Sequence, residues 1–368
     1  MKAAVLTALE KPYAPASLKL WDVEPQPLDY GQVLVEMICS GICGAQLQEM
    51  RGEKGNAAHL PHLLGHEGCG IVLQVGPGVS RVQIGQKVCL HWRKAAGIES
   101  ALPAYTSTRG RVGSGRVATL ARLCVASENR ITPVPDDTPP ELAALLGCGL
   151  STALGTVERE AACKIGESVL IVGCGGLGAN LIRACKIAGA GTIACCDIHR
   201  SKQDVALALG ANHYIDATPD QFPMSNPWIN SWTGSSCGMW RDGRKPRYQF
   251  DIIIDTSGDT QAISDSLNLL APSGRFIMVG HPKPGISAIV HDADHLFGGE
   301  GKTIKATQGG GFQPDRDIPR YIQAWRSGVL KIDGIVTHNL TLEQVNTGID
   351  LVRNGEASRV MVWMQKAG

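Results

Sequence analysis

The chain has 368 residues, 43% of them hydrophobic and 19% charged, with 35 basic against 34 acidic side chains. That length suggests roughly two domains of ~100–200 residues, and the composition supports packed cores and argues against a disordered chain. A net charge of +1 leaves no basic excess for a nucleic-acid or membrane-surface partner, and no apolar run approaches the ~20 residues of a membrane-spanning helix.

The N-terminal stretch "MKAAVLTALEKPYAP" ends its apolar run at Glu10 and Lys11, so it predicts a first strand rather than a secretory signal. From there to about residue 150 the signals are short strands and turns. "VLVEMICSGIC", "GIVLQVGPGV" and "IGQKVCLHW" alternate apolar and polar residues between Gly and Pro, which predicts an all-β unit. "PPELAALLGCGLSTALGTV" predicts a helix opened by Pro139 and Pro140. The texture changes at residue 166, where "ESVLIVGCGGLGANLIRACKIAGAGTIACCD" predicts a buried strand, a glycine turn, a helix and a second buried strand. "FDIIIDTSG" and "GRFIMVG" are further buried strands, with a helical "TQAISDSLNLLAP" between them. Strands alternating with helices imply parallel βαβ units and an α/β class for this part of the chain. Between Asp216 and Phe250 a long connection carries Trp228, Trp232 and Trp240. Connections of that length are usually functional, so it reads as an insertion covering its own apolar patch, a lid or a subunit contact. Past residue 308, "RDIPRYIQAWRSG" and "TLEQVNTGIDLVRNG" predict two amphipathic helices, and "SRVMVWM" a terminal strand.

The 12 cysteines point to free thiols in a reducing, cytoplasmic compartment. No Cys-x-x-Cys pair occurs, which disfavours a four-cysteine zinc knot or a thioredoxin-like site. In "VGCGGLG", Gly173, Gly175 and Gly178 have the G-x-G-x-x-G spacing between a predicted strand and a predicted helix, with Asp197 ending the next strand. That context turns a weak motif into a dinucleotide fingerprint. Gly173 makes the turn, Gly175 lets a pyrophosphate approach the backbone, and Gly178 allows the helix to pack on the strand. Gly176 and Leu177 open the helix, whose N–H groups and positive partial charge face the phosphates. Asp197 would bond the ribose hydroxyls and repel a 2′-phosphate, with Lys202 reaching the same ribose, so NAD is expected over NADP. Arg200 is the type of residue that NADP sites use.

"LLGHEGCG" sets His66 and Glu67 side by side among glycines; Cys43 lies in "CSGICGAQ" and Cys148 in "GCGLS". Taken singly, each cysteine reads as a small buried hydrophobe. Brought together by folding, two thiolates and an imidazole would give zinc three protein ligands and leave a fourth position open for water or substrate. His66 is not part of an H-E-x-x-H helix.

These stretches, with the tail "RDIPRYIQAWRSGVLKIDGIVTHNLTLEQVNTGIDLVRNGEASRVMVWM", resemble the medium-chain dehydrogenase/reductase superfamily in its zinc-dependent alcohol dehydrogenase branch, nearly end to end. The resemblance implies a GroES-like β-rich catalytic domain built from residues 1–150 and 309–368, with a doubly wound NAD-binding Rossmann domain inserted at residues 151–308. It makes Cys43, His66 and Cys148 the ligands of one catalytic zinc per subunit, and Glu67 a carboxylate that transiently approaches the metal. It places Thr152 near the nicotinamide and Arg359 at the pyrophosphate. It makes residues 301–308 the edge strand through which a homodimer or homotetramer pairs. The implied activity is hydride transfer between NAD(H) and a small alcohol or carbonyl compound, such as a polyol or sugar derivative. The alternatives are a biosynthetic reductase of an aldehyde, imine or conjugated double bond on the same scaffold, and a non-catalytic NAD-binding protein.

The chain departs from this family in three ways. Residues 91–115, where relatives often hold a structural zinc on four cysteines, contain no cysteine; the stretch reads either as part of the substrate pocket or as a surface loop. Gln46 stands where an Asp commonly orients the zinc-bound His; an amide can still accept a hydrogen bond from an imidazole N–H, but it brings no negative charge. Ala45 and Gln48 stand where the usual proton relay has a hydroxyl and an imidazole. Water, the ribose, Glu67 or a substrate hydroxyl would then substitute, and His59 and His62 lie close in sequence.

Overall fold

The computed structural model describes residues 1–11, 14–217, 249–283, 285–288, 290 and 293–364. The tryptophan-bearing insertion lies, apart from its ends, outside these described residues. The chain divides into one unit of Met1–Ser151 with Phe312–Gly368 and a second of Thr152–Gly311.

In the first unit the central strand is Gln32–Ile42, buried at nearly every position rather than alternately. It is covered on both faces: Val33, Val35 and Met37 enter one core and Leu34 enters another. Antiparallel partners of this strand are Glu67–Val75, Leu123–Ser127 and the C-terminal strand Val360–Trp363. Beside this sheet, strands Lys2–Leu6, Lys19–Pro25, Tyr105–Ser107, Gly110–Ser114 and His62–Leu63 form a closed barrel. The cysteine-free stretch 91–115 therefore supplies a barrel hairpin, Tyr105–Ser107 with Gly110–Ser114. Tyr105 is fully buried, and its hydroxyl oxygen accepts a hydrogen bond from the Val125 N–H at 2.8 Å. Upstream of the hairpin, Glu99 takes a two-pronged ion pair from Arg130 at 2.8 and 3.0 Å. Glu128 accepts from the backbone N–H groups of Ser80, Arg81 and Ile98. Charge and hydrogen bonding thus tie down a segment that carries no metal ligands of its own.

His91, ending strand Lys87–His91, is fully buried. Its Nδ1 donates to the Arg93 carbonyl at 2.6 Å and its Nε2 accepts from the Thr132 hydroxyl at 2.9 Å. Both ring nitrogens of the neutral form are satisfied, and burial pushes the imidazole down from 6.5 to about 4. Between those values the unfolded chain binds the extra proton and the folded chain does not. Stability is therefore expected to fall as pH drops from about 6.5 to about 4, by about 3 kcal/mol, and to level off below. Urea melts of the wild type and of His91→Asn across that range check this; parallel pH profiles would count against it.

The predicted single helix at Pro139–Pro140 is in fact two. Pro140–Leu146 ends, and a second helix starting at Gly149 leaves at 55° to the first. Local crowding requires glycine at this bend. A side chain at Gly147 would put its Cβ 2.3 Å from the Leu90 carbonyl oxygen and 3.0 Å from Cβ of Glu67. The helix bends where the chain passes closest to the sheet, and Cys148 sits at the corner.

The second unit holds six parallel strands in the order His213–Asp216, Thr192–Asp197, Ser168–Val172, Phe250–Asp255, Leu270–Met278, Thr303–Ala306. Numbered by sequence this is 3-2-1-4-5-6, the doubly wound arrangement whose crevice lies at the ends of the first and fourth strands. Ile252, Ile253 and Ile254 are all fully buried, as expected where helices cover both faces of a parallel sheet. The edge strand Thr303–Ala306 is exposed at all four positions. Among the described residues no single helix is long and apolar enough to cross a membrane.

Candidate active site

Three elements of the first unit converge. Cys43 follows the central strand and caps helix Gly44–Met50, His66 immediately precedes strand Glu67–Val75, and Cys148 occupies the bend between the two helices. Their ligand atoms lie within 4.8 Å of one another. Among the described residues this is the one group of its kind.

The charges in this group already suit a cation. A hydrogen bond from the Cys148 thiol, joined by one from His66, holds Cys43 well below the usual thiol range despite burial. The same Cys43 contact, with burial, pushes Cys148 well up. Burial opposes protonation of His66, but the neighbouring Cys43 sulfur outweighs it and lifts the imidazole. Cys148 thus keeps a thiol proton where a metal ion would replace it, and metal binding would release that proton. Two sulfurs and one imidazole nitrogen are a zinc donor set, and three ligands leave a position open. The residues present fit catalytic zinc.

Gln46 lies under the imidazole and is fully buried. Its Oε1 accepts from the Cys43 backbone N–H at 2.6 Å, and its Nε2 is 2.7 Å from His66 Nδ1.

Glu67 lies outside the three-residue cluster. It is fully buried; its Oε2 accepts from the Gly149 N–H at 3.1 Å and faces Arg359 Nη2 at 3.4 Å, while its Oε1 has no partner. Burial raises its carboxyl above the ordinary range, and the Arg359 charge opposes that rise. Here the carboxylate stands beside the cluster, held by the Gly149 N–H and facing Arg359. Arg359 is 2% exposed; it donates to the Ile42 carbonyl at 2.9 Å and faces Glu67. Sheet register explains this, since Val360 pairs with Ile42 and brings the preceding residue beside Cys43.

Of the possible relay residues, Ala45 and Gln48 lie on helix Gly44–Met50. His62 is buried in a barrel strand, with Nδ1 2.8 Å from the Leu63 carbonyl oxygen. Glu49 went unnoticed in the sequence. It is one helical turn beyond Gln46, and its charge interacts with His66 and Cys43. The i, i+3 spacing on a helix was the available signal.

In the second unit the glycine turn has the anticipated form. Gly173 has φ of 91°, a region that favours glycine. A Cβ on Gly178 would lie 2.1 Å from the Gly173 carbonyl oxygen, whereas one on Gly175 would meet nothing within 4 Å. Space is thus open at Gly175 and closed at Gly178. Gly176 and Leu177 start the helix Gly176–Ile187. Asp197 accepts from the Cys174 N–H at 2.7 Å and the His199 N–H at 2.9 Å, two of the roughly four sites a carboxylate offers. Lys202 is buried and interacts with the Asp197 charge. Thr152, also buried, has a hydroxyl without a partner.

Two family models match the chain: the alcohol dehydrogenase GroES-like domain over residues 29–136 and the zinc-binding dehydrogenase over residues 176–326. Alcohol dehydrogenase 6 of Peromyscus maniculatus is 29% identical, the match covering 98% of this chain and 97% of that protein. S-(hydroxymethyl)glutathione dehydrogenase of Paracoccus denitrificans is 26% identical over 98% and 99%. Among solved structures, an alcohol dehydrogenase zinc-binding domain protein from Burkholderia ambifaria matches with a TM-score of 0.83 and 26% identity, covering 99% of this chain and 98% of that one. With two family models side by side along its length, and relatives and a solved fold matching nearly end to end, the chain belongs to the medium-chain dehydrogenase/reductase superfamily, in its zinc-dependent alcohol dehydrogenase-like branch.

Proposed function

We propose that this protein is a zinc-containing, NAD(H)-linked oxidoreductase that interconverts a small alcohol and its carbonyl compound. The observation that carries the reading is the meeting of Cys43, His66 and Cys148 within 4.8 Å, in a chain that also holds a dinucleotide-type glycine turn. When bound, zinc supplies Lewis-acid polarisation of a substrate oxygen and NAD supplies the hydride acceptor or donor. The two thiolates and the imidazole would hold the metal as three protein ligands, a number that leaves a fourth position for substrate. Glu67 contributes a buried negative charge that Arg359 balances, and its Oε1 is a buried acceptor without a hydrogen-bond partner. In the second unit the N–H groups at Gly175, Gly176 and Leu177 would hold the pyrophosphate, and Asp197 the adenosine ribose. Zinc analysis, a dinucleotide titration and a turnover screen over alcohols and aldehydes test the proposal. A pure protein that takes up neither zinc nor NAD would end it.

Asp197→Asn keeps one acceptor for the turn while removing the charge. It is expected to weaken NAD about tenfold, the value of a charged hydrogen bond, and to narrow the preference over NADP. Unchanged dissociation constants for both dinucleotides would count against the ribose assignment.

A reductase of an aldehyde, imine or conjugated double bond is the second reading. It is favoured by Ala45, which has no hydroxyl, and by His62, whose Nδ1 is engaged by the Leu63 carbonyl; a substrate that brings its own proton would not need a relay. We further propose a cytoplasmic homo-oligomer pairing through Thr303–Ala306, because an exposed strand edge is a ready template for a second copy.

A further inference from the structure

Gln46 carries the strongest unexplained constraint in the molecule. It is fully buried, and each half of its amide touches one group: the Cys43 backbone N–H at 2.6 Å and His66 Nδ1 at 2.7 Å. A backbone N–H only donates, so the atom facing it must be the amide oxygen. The NH₂ group is therefore the half that meets Nδ1, and Nδ1 must accept. A neutral imidazole carries one proton, which this arrangement places on Nε2, the nitrogen on the metal side. Zinc bound through Nε2 needs the opposite tautomer, with the proton on Nδ1 pointing at the amide NH₂. Turning the amide over does not help, because its NH₂ would then face the Cys43 N–H. In either orientation the ligating tautomer leaves one N–H opposing another at a fully buried amide.

We propose that Gln46 is a positioning residue that makes the metal of this centre exchangeable, by holding His66 in the tautomer that does not ligate. The proposal rests on the zinc reading above and adds to it a direction: this chain binds its metal more weakly than its three ligands would alone. A carboxylate at the same position accepts from both the Cys43 N–H and His66 Nδ1–H, and so favours the ligating tautomer. Partners of this kind typically shift metal affinity 10–100-fold.

The test is zinc affinity, measured by competition between the zinc-loaded protein and a chromophoric chelator at fixed pH. Gln46→Glu is expected to tighten zinc by at least ~10-fold. Added negative charge alone would also tighten it, so Gln46→Met separates the two causes. Met removes the opposing N–H without adding charge, and it too is expected to tighten zinc by a few-fold, on the order of one opposed N–H relieved. A residue that merely packed under the site would loosen zinc when replaced, so tightening by both variants supports the proposal. Equal or weaker binding by Gln46→Met overturns it, as does equal or weaker binding by Gln46→Glu, and either variant suffices if the other does not fold. Zinc bound by the wild type with such a result removes this proposal only. A wild type that takes up no zinc at all removes the metal reading and this proposal with it.

Discussion

Cys148→Ala is expected to strip the bound zinc and to lower turnover at least ~10³-fold, since Lewis-acid stabilisation is worth several kcal/mol and about 1.4 kcal/mol is tenfold in rate. The substitution removes one of the two sulfurs and leaves Gly147 and Gly149, which shape the bend, in place. Two ligands remain, and a site so reduced falls short of the three protein ligands that catalytic zinc uses. NAD affinity is the internal control. The glycine turn and Asp197 belong to the second unit, Thr152–Gly311, so the dinucleotide dissociation constant should stay within about twofold of wild type if the variant has lost only its metal. Zinc analysis, NAD titration and kcat on one preparation read all three quantities. Undiminished turnover in a variant verified as metal-free would remove zinc from the reaction.

The second large effect is on stability. Arg359→Met should destabilise the first unit by about 3–5 kcal/mol, because it leaves the buried Glu67 carboxylate without its balancing charge. Arg359 and Glu67 are 2% and 0% exposed, so water cannot step in. The sign with pH follows from the Glu67 carboxyl, which burial already raises above its ordinary value and which rises further once the guanidinium is gone. A raised carboxyl gives stability that is present below the unfolded value of 4.5 and lost as pH climbs through the folded value. The deficit of Arg359→Met should therefore shrink towards acid and grow towards neutral pH. Glu67→Gln combined with Arg359→Met removes both charges and should recover most of the loss. Denaturant midpoints of the two variants at several pH values check this, and a double variant no better than the single would show that lost packing, not lost charge, is responsible.

The glycine turn was legible because its determinants are local. A strand, a tight turn needing positive φ, and a helix packed too close for a side chain are all set within a few residues of Gly173. The parallel sheet followed from the same kind of signal, short apolar runs separated by helical periodicity. The bend at Cys148 was not legible. Helical patterning runs across Gly147 and Gly149, and the approach of Leu90 and Glu67 that requires glycine at position 147 comes from other strands. The same holds for the barrel hairpin at Tyr105–Ser107, whose partner, Lys19–Pro25, lies far away in sequence.

Composition, spacing and glycine placement by themselves determined the class of each half, the dinucleotide turn and the identity of the candidate ligands, since each depends on neighbouring residues or on side-chain chemistry. Only the tertiary structure decided which distant groups share a low-dielectric space. It set Arg359 against Glu67 through strand register, gave the Glu67 carboxylate a backbone N–H at the helix bend, and aimed the Gln46 amide at both Cys43 and His66. Those choices govern charge balance and tautomer, and they rest on distances across the fold that no stretch of sequence encodes by itself.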